Sequence, residues 1–253
     1  MTEPEAEVWK SASLSAKYLE GVRGAIPLAA EQIDILLRLI AAAEGEAAHD
    51  RGPAAFLDLG CGGGVLGAAV LHRWPDARGV FVDFSATMLD AARKTLADYR
   101  QRTTLVDADY GDPAWVRAVA EWAPFDAVIS GFSIHHQPDE RKRTLYAEVF
   151  DLLAPGGVFL NLEHVSSPTR WVQLGFDDYF VDALHAMHVR DGSGKSRDEV
   201  AQEYYDRPDK TANILAPLET QCQWLRAIGF EDVDCYFKAF ELALFGGRVP
   251  PRT

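Results

Sequence analysis

The sequence is short of cysteine, of positive charge and of long apolar runs, and each shortage excludes something. Its three cysteines, Cys61, Cys222 and Cys235, stand far apart in a chain of 253 residues. That spacing fits neither a metal-binding pair nor a disulfide framework, and it predicts a reducing compartment, the cytoplasm. Lys and Arg number 25 against 38 Asp and Glu, a formal charge of −13. Nucleic acid is not expected as a partner, because phosphate contacts need clustered cations. The uncharged run from Gly60 to Leu71 is glycine-rich and well under the roughly 20 residues that span a bilayer. The opening MTEPEAEVWK is acidic and lacks the apolar stretch of a signal peptide. Neither a membrane nor a secreted class is expected.

What is present fits a globular α/β chain. Hydrophobic residues make up 48% and charged residues 25%, which is ordinary for such a domain. Ile33, Leu36, Leu37 and Ile40 recur at helical spacing and predict an amphipathic helix over about 29–48. From residue 54, apolar runs at Ala54–Leu59, Gly79–Val82, Thr104–Val106, Ala127–Ile129 and Gly157–Leu162 alternate with helical patterns at about 64–74, 86–99, 113–122 and 139–153. Continuous apolar strands separated by helices predict parallel strands buried on both faces, in a doubly wound, Rossmann-like sheet. The rhythm breaks over 164–216, which reads as a helical insertion around the loop DGSGK. A helix near 217–227 follows, and then Asp232–Phe237 and Phe240–Phe245, joined too tightly for a crossover. Those last two strands are predicted to be antiparallel.

The run Phe56-Leu57-Asp58-Leu59-Gly60-Cys61-Gly62-Gly63-Gly64 is a strand entering a glycine turn and a helix. Glycine there permits positive φ and close approach of a ligand to the backbone. A dinucleotide fingerprint would place glycine three residues after Gly62, where Val65 stands. The acid Asp58 would repel a pyrophosphate and suits a cationic ligand. Asp83, at the end of the second strand, is placed to accept from ribose hydroxyls. Ser85 reads as the cap of the following helix, with Met88 on its first turn. Asp107, followed by Ala108, is placed to accept from an adenine amino group.

As a set, LDLGCGGG, VDFSATML, VDADY, FDAVISGFSIHHQPDERKRTLYAEVFDLLAPGGVFL and GFEDVDCYFKAFELALFGG resemble the class I S-adenosylmethionine-dependent methyltransferases. The resemblance covers about 50–163 and 217–246 and implies a seven-stranded sheet of order 3-2-1-4-5-7-6. It implies S-adenosylmethionine as cofactor and S-adenosylhomocysteine as product. Asp58, Gly60, Cys61 and Gly62 would lie by the methionyl part, Asp83 by the ribose, and Asp107 and Ala108 by the adenine, with Phe84 and Met88 also contacting the cofactor. Tyr18, Ser130 and Phe132 complete the expected cofactor wall. His135, His136 and Glu163 lie where the crevice beyond the strand ends is expected, and are the candidate bases. Of the two histidines, His136 is favoured as the one pointing inward.

In the insertion, Trp171, Tyr179, His185, Tyr204 and Arg207 are the candidate acceptor contacts. His185 and His188 share a helix face, but no third ligand is evident, so no metal is expected. The layout expected is one domain over 1–253. Residues 1–48 form a helical lid, 49–163 the cofactor core, 164–216 a second lid, and 217–253 a closing helix and strand pair. The expected activity is methyl transfer to a small-molecule acceptor. One branch of the family that the chain resembles includes carboxy-S-adenosylmethionine synthases, which hold an extra carboxylate with an arginine. This chain has Tyr204 at the aligned position, with Arg207 nearby. A non-catalytic adenosyl-ligand-binding subunit and a nicotinamide dehydrogenase are the remaining alternatives. Assembly with a second copy is left open.

Overall fold

The structure is a computed structural model, and it describes residues 25–43, 52–207 and 212–251. Helix α1 spans Ala29–Ala43. The sheet begins with β1 (Ala55–Leu59), followed by α2 (Val65–Arg73), β2 (Arg78–Asp83), α3 (Ala86–Thr95) and β3 (Thr103–Asp107). Next come α4 (Trp115–Val119), β4 (Phe125–Gly131), α5 (Asp139–Leu152) and β5 (Leu153–His164). The insertion forms α6 (Arg170–Arg190) and α7 (Arg197–Asp206), and the chain closes with α8 (Leu218–Ile228), β6 (Glu231–Ala239) and β7 (Leu242–Arg248). No helix among the described residues is long and apolar enough to cross a membrane.

The seven strands lie in the order β3-β2-β1-β4-β5-β7-β6. The first five are parallel, while β7 runs antiparallel to both β5 and β6. The sheet is buried on both faces because alternate residues of each strand feed separate cores. Leu57, Leu59, Val128, Phe159 and Phe245 join one cluster. Phe56, Phe81, Ile129, Leu160 and Leu244 join the other, with α1 and α2 over them. Each such side chain contributes about 1.5–3 kcal/mol when fully buried. A smaller cluster, Phe176, Phe180, Val181, Tyr204 and Leu242, packs α6 and α7 onto the start of β7.

Local signals set the helix ends. The Ser85 hydroxyl accepts from Met88 N, and Thr169 accepts from Val172 N. Ser196 and Glu199 form a reciprocal capping box. Helix α8 stops at Gly229, whose φ is 122°. Two expected boundaries shift. Helix α3 gives way to a tighter turn over Ala97–Arg102. Strand β5 starts at Leu153 rather than Gly157, because Leu153 pairs with Phe125 across a bulge. The first helix is described only to Ala43, and the rest of its expected span lies outside the described residues.

Candidate active site

The glycine turn after β1 uses its glycines differently. At Gly60, with φ 65°, a Cβ would fall 1.9 Å from the Ser133 hydroxyl and 3.2 Å from the Tyr110 ring. Gly60 therefore serves close packing within the protein. At Gly62, with φ 51°, a Cβ would meet nothing within 4 Å among the described residues. Gly62 is where the backbone faces open space.

Asp83 joins this turn to β2. It is buried, and its carboxylate accepts from Gly62 N and Ser85 N, each at 2.9 Å. Burial raises the Asp83 carboxyl above its ordinary value, the bonds from Ser85 and Gly62 pull it back, and nearby Asp107 raises it further. Two hydroxyl donors would relieve that excess of negative charge. Asp58 is also buried, and its Oδ2 accepts from Gly67 N at 2.9 Å, which anchors the first turn of α2. Cys61 is buried, with its backbone N donating to Val82 O at 2.9 Å. Met88 is buried, Phe84 and Ala108 are half-buried, and Asp107 is exposed on the same rim. Ser130 donates to Leu59 O at 2.8 Å, which ties β4 to β1 at their ends.

Beyond β4 the chain makes a strained corner. Phe132 has φ 52° and donates its N–H to Leu162 O at 2.7 Å. A bulky residue in the left-handed region is uncommon and costs energy that the surroundings must offset. The corner leads into a short 3-10 turn, Ile134–His136. His135 is buried there, and its Nδ1 lies 2.5 Å from Glu163 Oε1. Glu163, at 1% exposure, also accepts from His135 N at 2.9 Å and from His164 N at 2.8 Å. Burial pushes Glu163 up to about 7. Burial likewise holds His135 well below its ordinary value, helped by the charges of His164, Lys142 and Arg207. Glu163 therefore gains or loses its proton near neutral pH, beside an imidazole that burial keeps uncharged.

The two histidines of the pair differ in burial. His135 is bonded into the interior, whereas His136 is half-buried, with Nδ1 3.2 Å from Ala212 O. Their rings lie 3.9 Å apart.

In the insertion, the Tyr204 hydroxyl donates to Asp177 at 2.7 Å, and Arg207 lies 4.9 Å over the Tyr204 ring. Tyr179 packs on Phe240 with rings 5.7 Å apart. His185 and His188 are half-buried on α6. Trp171 is 83% exposed and is not among the side chains gathered at the rim. Tyr18 lies outside the described residues. Among the described residues no group of three or more His, Cys, Asp or Glu is arranged to hold a metal ion.

Several members of this rim are not evident from sequence. Tyr110 donates to Ser133 O at 2.9 Å and lies 2.5 Å from its hydroxyl. Lys142, at 1% exposure, donates to Asp139 at 2.8 Å and to Ile214 O. Glu241 is bonded to His164. Only Tyr110 carried a sequence signal, an aromatic next to the VDAD stretch.

Fold and rim together define a doubly wound domain with an acid-lined crevice at the ends of β1 and β2. The groups there are the acceptor carboxylates Asp58, Asp83 and Asp107, two of them held by backbone N–H groups, a set that fits a ribose and a cationic group and not a pyrophosphate. Residues 56–157 match the family described as "Methyltransferase domain". The chain shares its fold with solved methyltransferases, one of them in complex with S-adenosylmethionine. It is 39% identical over 105 residues to a trans-aconitate 2-methyltransferase of Azoarcus sp. (strain BH72), over 42% of this chain and 37% of that protein. It is 29% identical over 195 residues to a carboxy-S-adenosyl-L-methionine synthase of Shewanella loihica, over 74% of this chain and 72% of that one. The match to the first of these thus spans little more than a third of its length. Among solved structures, an O-methyltransferase family protein from Burkholderia thailandensis superposes with TM-score 0.63 at 21% identity, over 89% of this chain and 57% of that chain.

Proposed function

We propose that this chain transfers a methyl group from S-adenosylmethionine to a small-molecule acceptor whose nucleophilic atom must lose a proton. The observation that carries the reading is the buried His135–Glu163 pair, 2.5 Å apart at the ends of β4 and β5. S-adenosylmethionine, when bound, supplies a methyl already activated on a sulfonium. What the protein adds is alignment and a place for a proton. Asp83 and Gly62 would hold the ribose, with Asp107 and Ala108 near the adenine. Phe132, fixed through Leu162 O, would wall the transfer axis. His136 or His135 would take the acceptor's proton, with Glu163 holding the imidazole in place. Helices α6 and α7 of the insertion would close over the crevice as a lid, and the expected N-terminal lid lies largely outside the described residues. Similarity to proteins named as acting on small molecules supports this choice of acceptor.

A second reading, a carboxy-S-adenosylmethionine synthase, is favoured by Arg207, which lies over Tyr204 and within electrostatic reach of His135. Calorimetry with S-adenosylhomocysteine and NADH tests the cofactor. The adenosyl ligand should bind, NADH should not, and Asp83→Ala should weaken binding by about 1–3 kcal/mol through lost charge-assisted hydrogen bonds. Incubation with methyl-labelled S-adenosylmethionine and a small-molecule extract tests the reaction. Label should enter a small product, and less of it with Glu163→Gln. A carboxylated adenosyl product, lost with Arg207→Ala, would establish the synthase instead.

A further inference from the structure

The β6–β7 turn carries an acid that the transfer reading leaves unused. Glu241 is only 4% exposed, and its Oε2 lies 2.7 Å from His164 Nε2. A hairpin-turn carboxylate usually faces water, and burying it unpaired would cost several kcal/mol. The turn is built at some expense. Phe240 has φ 52°, in a place where glycine or asparagine is the usual residue. A strained backbone that delivers a buried charge to a site is a reason to look for function there.

The topology explains the delivery. Because β7 is antiparallel to β5, Leu242 at its start pairs with His164 at the end of β5. The turn before β7 therefore lands on the rim where the parallel strands end. Two links hold it there. The Glu241 backbone O accepts from Val165 N at 2.8 Å, and its carboxylate holds the His164 ring. His164 in turn donates its backbone N–H to Glu163 Oε1, the same oxygen that meets His135 Nδ1. The His164 ring sits 5.8 Å from that of His135 and 5.4 Å from that of Phe176 on α6. On the outer side of the turn, Phe240 packs against Tyr179 and lies 3.2 Å from where a Cβ on Gly175 would be. One turn thus touches the insertion and, through His164, reaches the His135–Glu163 pair.

We propose that Glu241 is a positioning residue of the transfer site, acting through His164 to hold Glu163 and His135 in register. This rests on the reading of that pair as the proton-handling group. The charged and titratable groups facing the cluster are His136 from the 3-10 turn, Lys142 from α5, Tyr204 and Arg207 from α7, and Tyr110. The link from Glu241 to Glu163 runs through the ring and backbone N–H of His164.

The test is proton NMR of the exchange-protected imidazole N–H signals, in the whole chain with S-adenosylhomocysteine bound. His135→Gln and His164→Gln assign the two downfield resonances, one for the His135–Glu163 bond and one for His164–Glu241. Glu241→Ala should abolish the second and shift or broaden the first, while affinity for S-adenosylhomocysteine stays within about twofold. Glu241→Asp should restore the first signal in part. If Glu241→Ala fails to fold, Glu241→Gln, which keeps an acceptor but loses the charge, should move the second signal upfield and shift the first with it. Loss of the His164 signal with the His135 signal unmoved overturns the proposal and leaves Glu241 a structural residue. Failure of the wild-type chain to bind S-adenosylhomocysteine would instead count against the cofactor and the transfer reading.

Discussion

The His135–Glu163 pair imposes a pattern on stability that can be worked out beforehand. Burial raises Glu163 from 4.5 to about 7 and holds His135 well below 6.5. In the unfolded chain both return to ordinary values. Between about pH 4.5 and 6.5 the unfolded chain then carries one proton, on His135, and the folded pair also carries one, held at Glu163. Equal proton counts give no pH slope from the pair. Below that window the unfolded chain gains a second proton and stability falls. Above it, the unfolded chain holds none while folded Glu163 keeps its proton to about 7, so stability falls again as pH rises.

His135→Gln removes the compensating group and exposes Glu163 alone. A carboxyl whose folded value is raised contributes fully below about pH 4.5, and that contribution is lost as pH climbs to about 7. The rise corresponds to about 3 kcal/mol. Urea unfolding of both proteins at several pH values between these limits measures it, and groups common to both cancel in the difference. The gap between wild type and His135→Gln should widen by about 3 kcal/mol across the window. Parallel curves would refute the assignment of that proton to Glu163.

Gly67→Ala would place a Cβ 2.2 Å from the Phe81 ring and 2.9 Å from Asp58 Oδ2. Phe81 is held edge-on against Phe56, so overpacking of about 1–3 kcal/mol should outweigh a helix-propensity gain of about 1 kcal/mol. Tm measured by calorimetry should fall by several degrees, and an unchanged or raised Tm would show that the Phe81 ring gives way. Hydrogen exchange over α6 and α7 should slow when cofactor and acceptor are both bound, as for a closing lid, and equal protection with and without ligands would remove that role.

The parts of the fold legible in the sequence are those in which local chemistry and tertiary demand agree. Strands β1, β2 and β4 are apolar because both faces are covered, and Ser85, Thr169, Ser196 and Gly229 mark helix ends by mechanisms that work within one turn of chain. The start of β5 was hidden because Ala-Pro-Gly-Gly reads as a turn, yet Leu153 pairs with Phe125 ahead of it. Lys142 sits in the charged run DERKR and reads as solvated; its burial depends on Ile214 O, contributed from 72 positions along the chain. Adjacent histidines are identical in composition, and only the 3-10 turn with the two bonds to Glu163 decides that His135 goes inward. Glu241 reads as a turn acid, because its partner is supplied by the antiparallel register of β7 and β5.

The division of charge along the rim follows from the order of the strands. β1 and β4 are neighbours, but the chain leaves β1 toward β2 and β3 on one side and runs from β4 to β5 and β7 on the other. Loops therefore part at this point and leave a crevice, the usual ligand position in an open α/β sheet. On the β2 side stand Asp83 and Asp107, with backbone N–H groups and no cation bonded to the Asp83 carboxylate among the described residues. On the β5 side stand His135, His136, Glu163, His164 and Glu241, with Lys142 and Arg207 within electrostatic reach of His135. An acidic half favours a ligand that brings hydroxyls and positive charge. A half rich in buried His–Glu contacts can hold and release a proton near pH 7, because burial brings Glu163 there. Ser130, bonded to Leu59 O, fixes the distance between the halves. In the proposed transfer the sulfonium and the attacking acceptor atom would lie on opposite sides of the methyl carbon, and a crevice between these two halves would suit that arrangement.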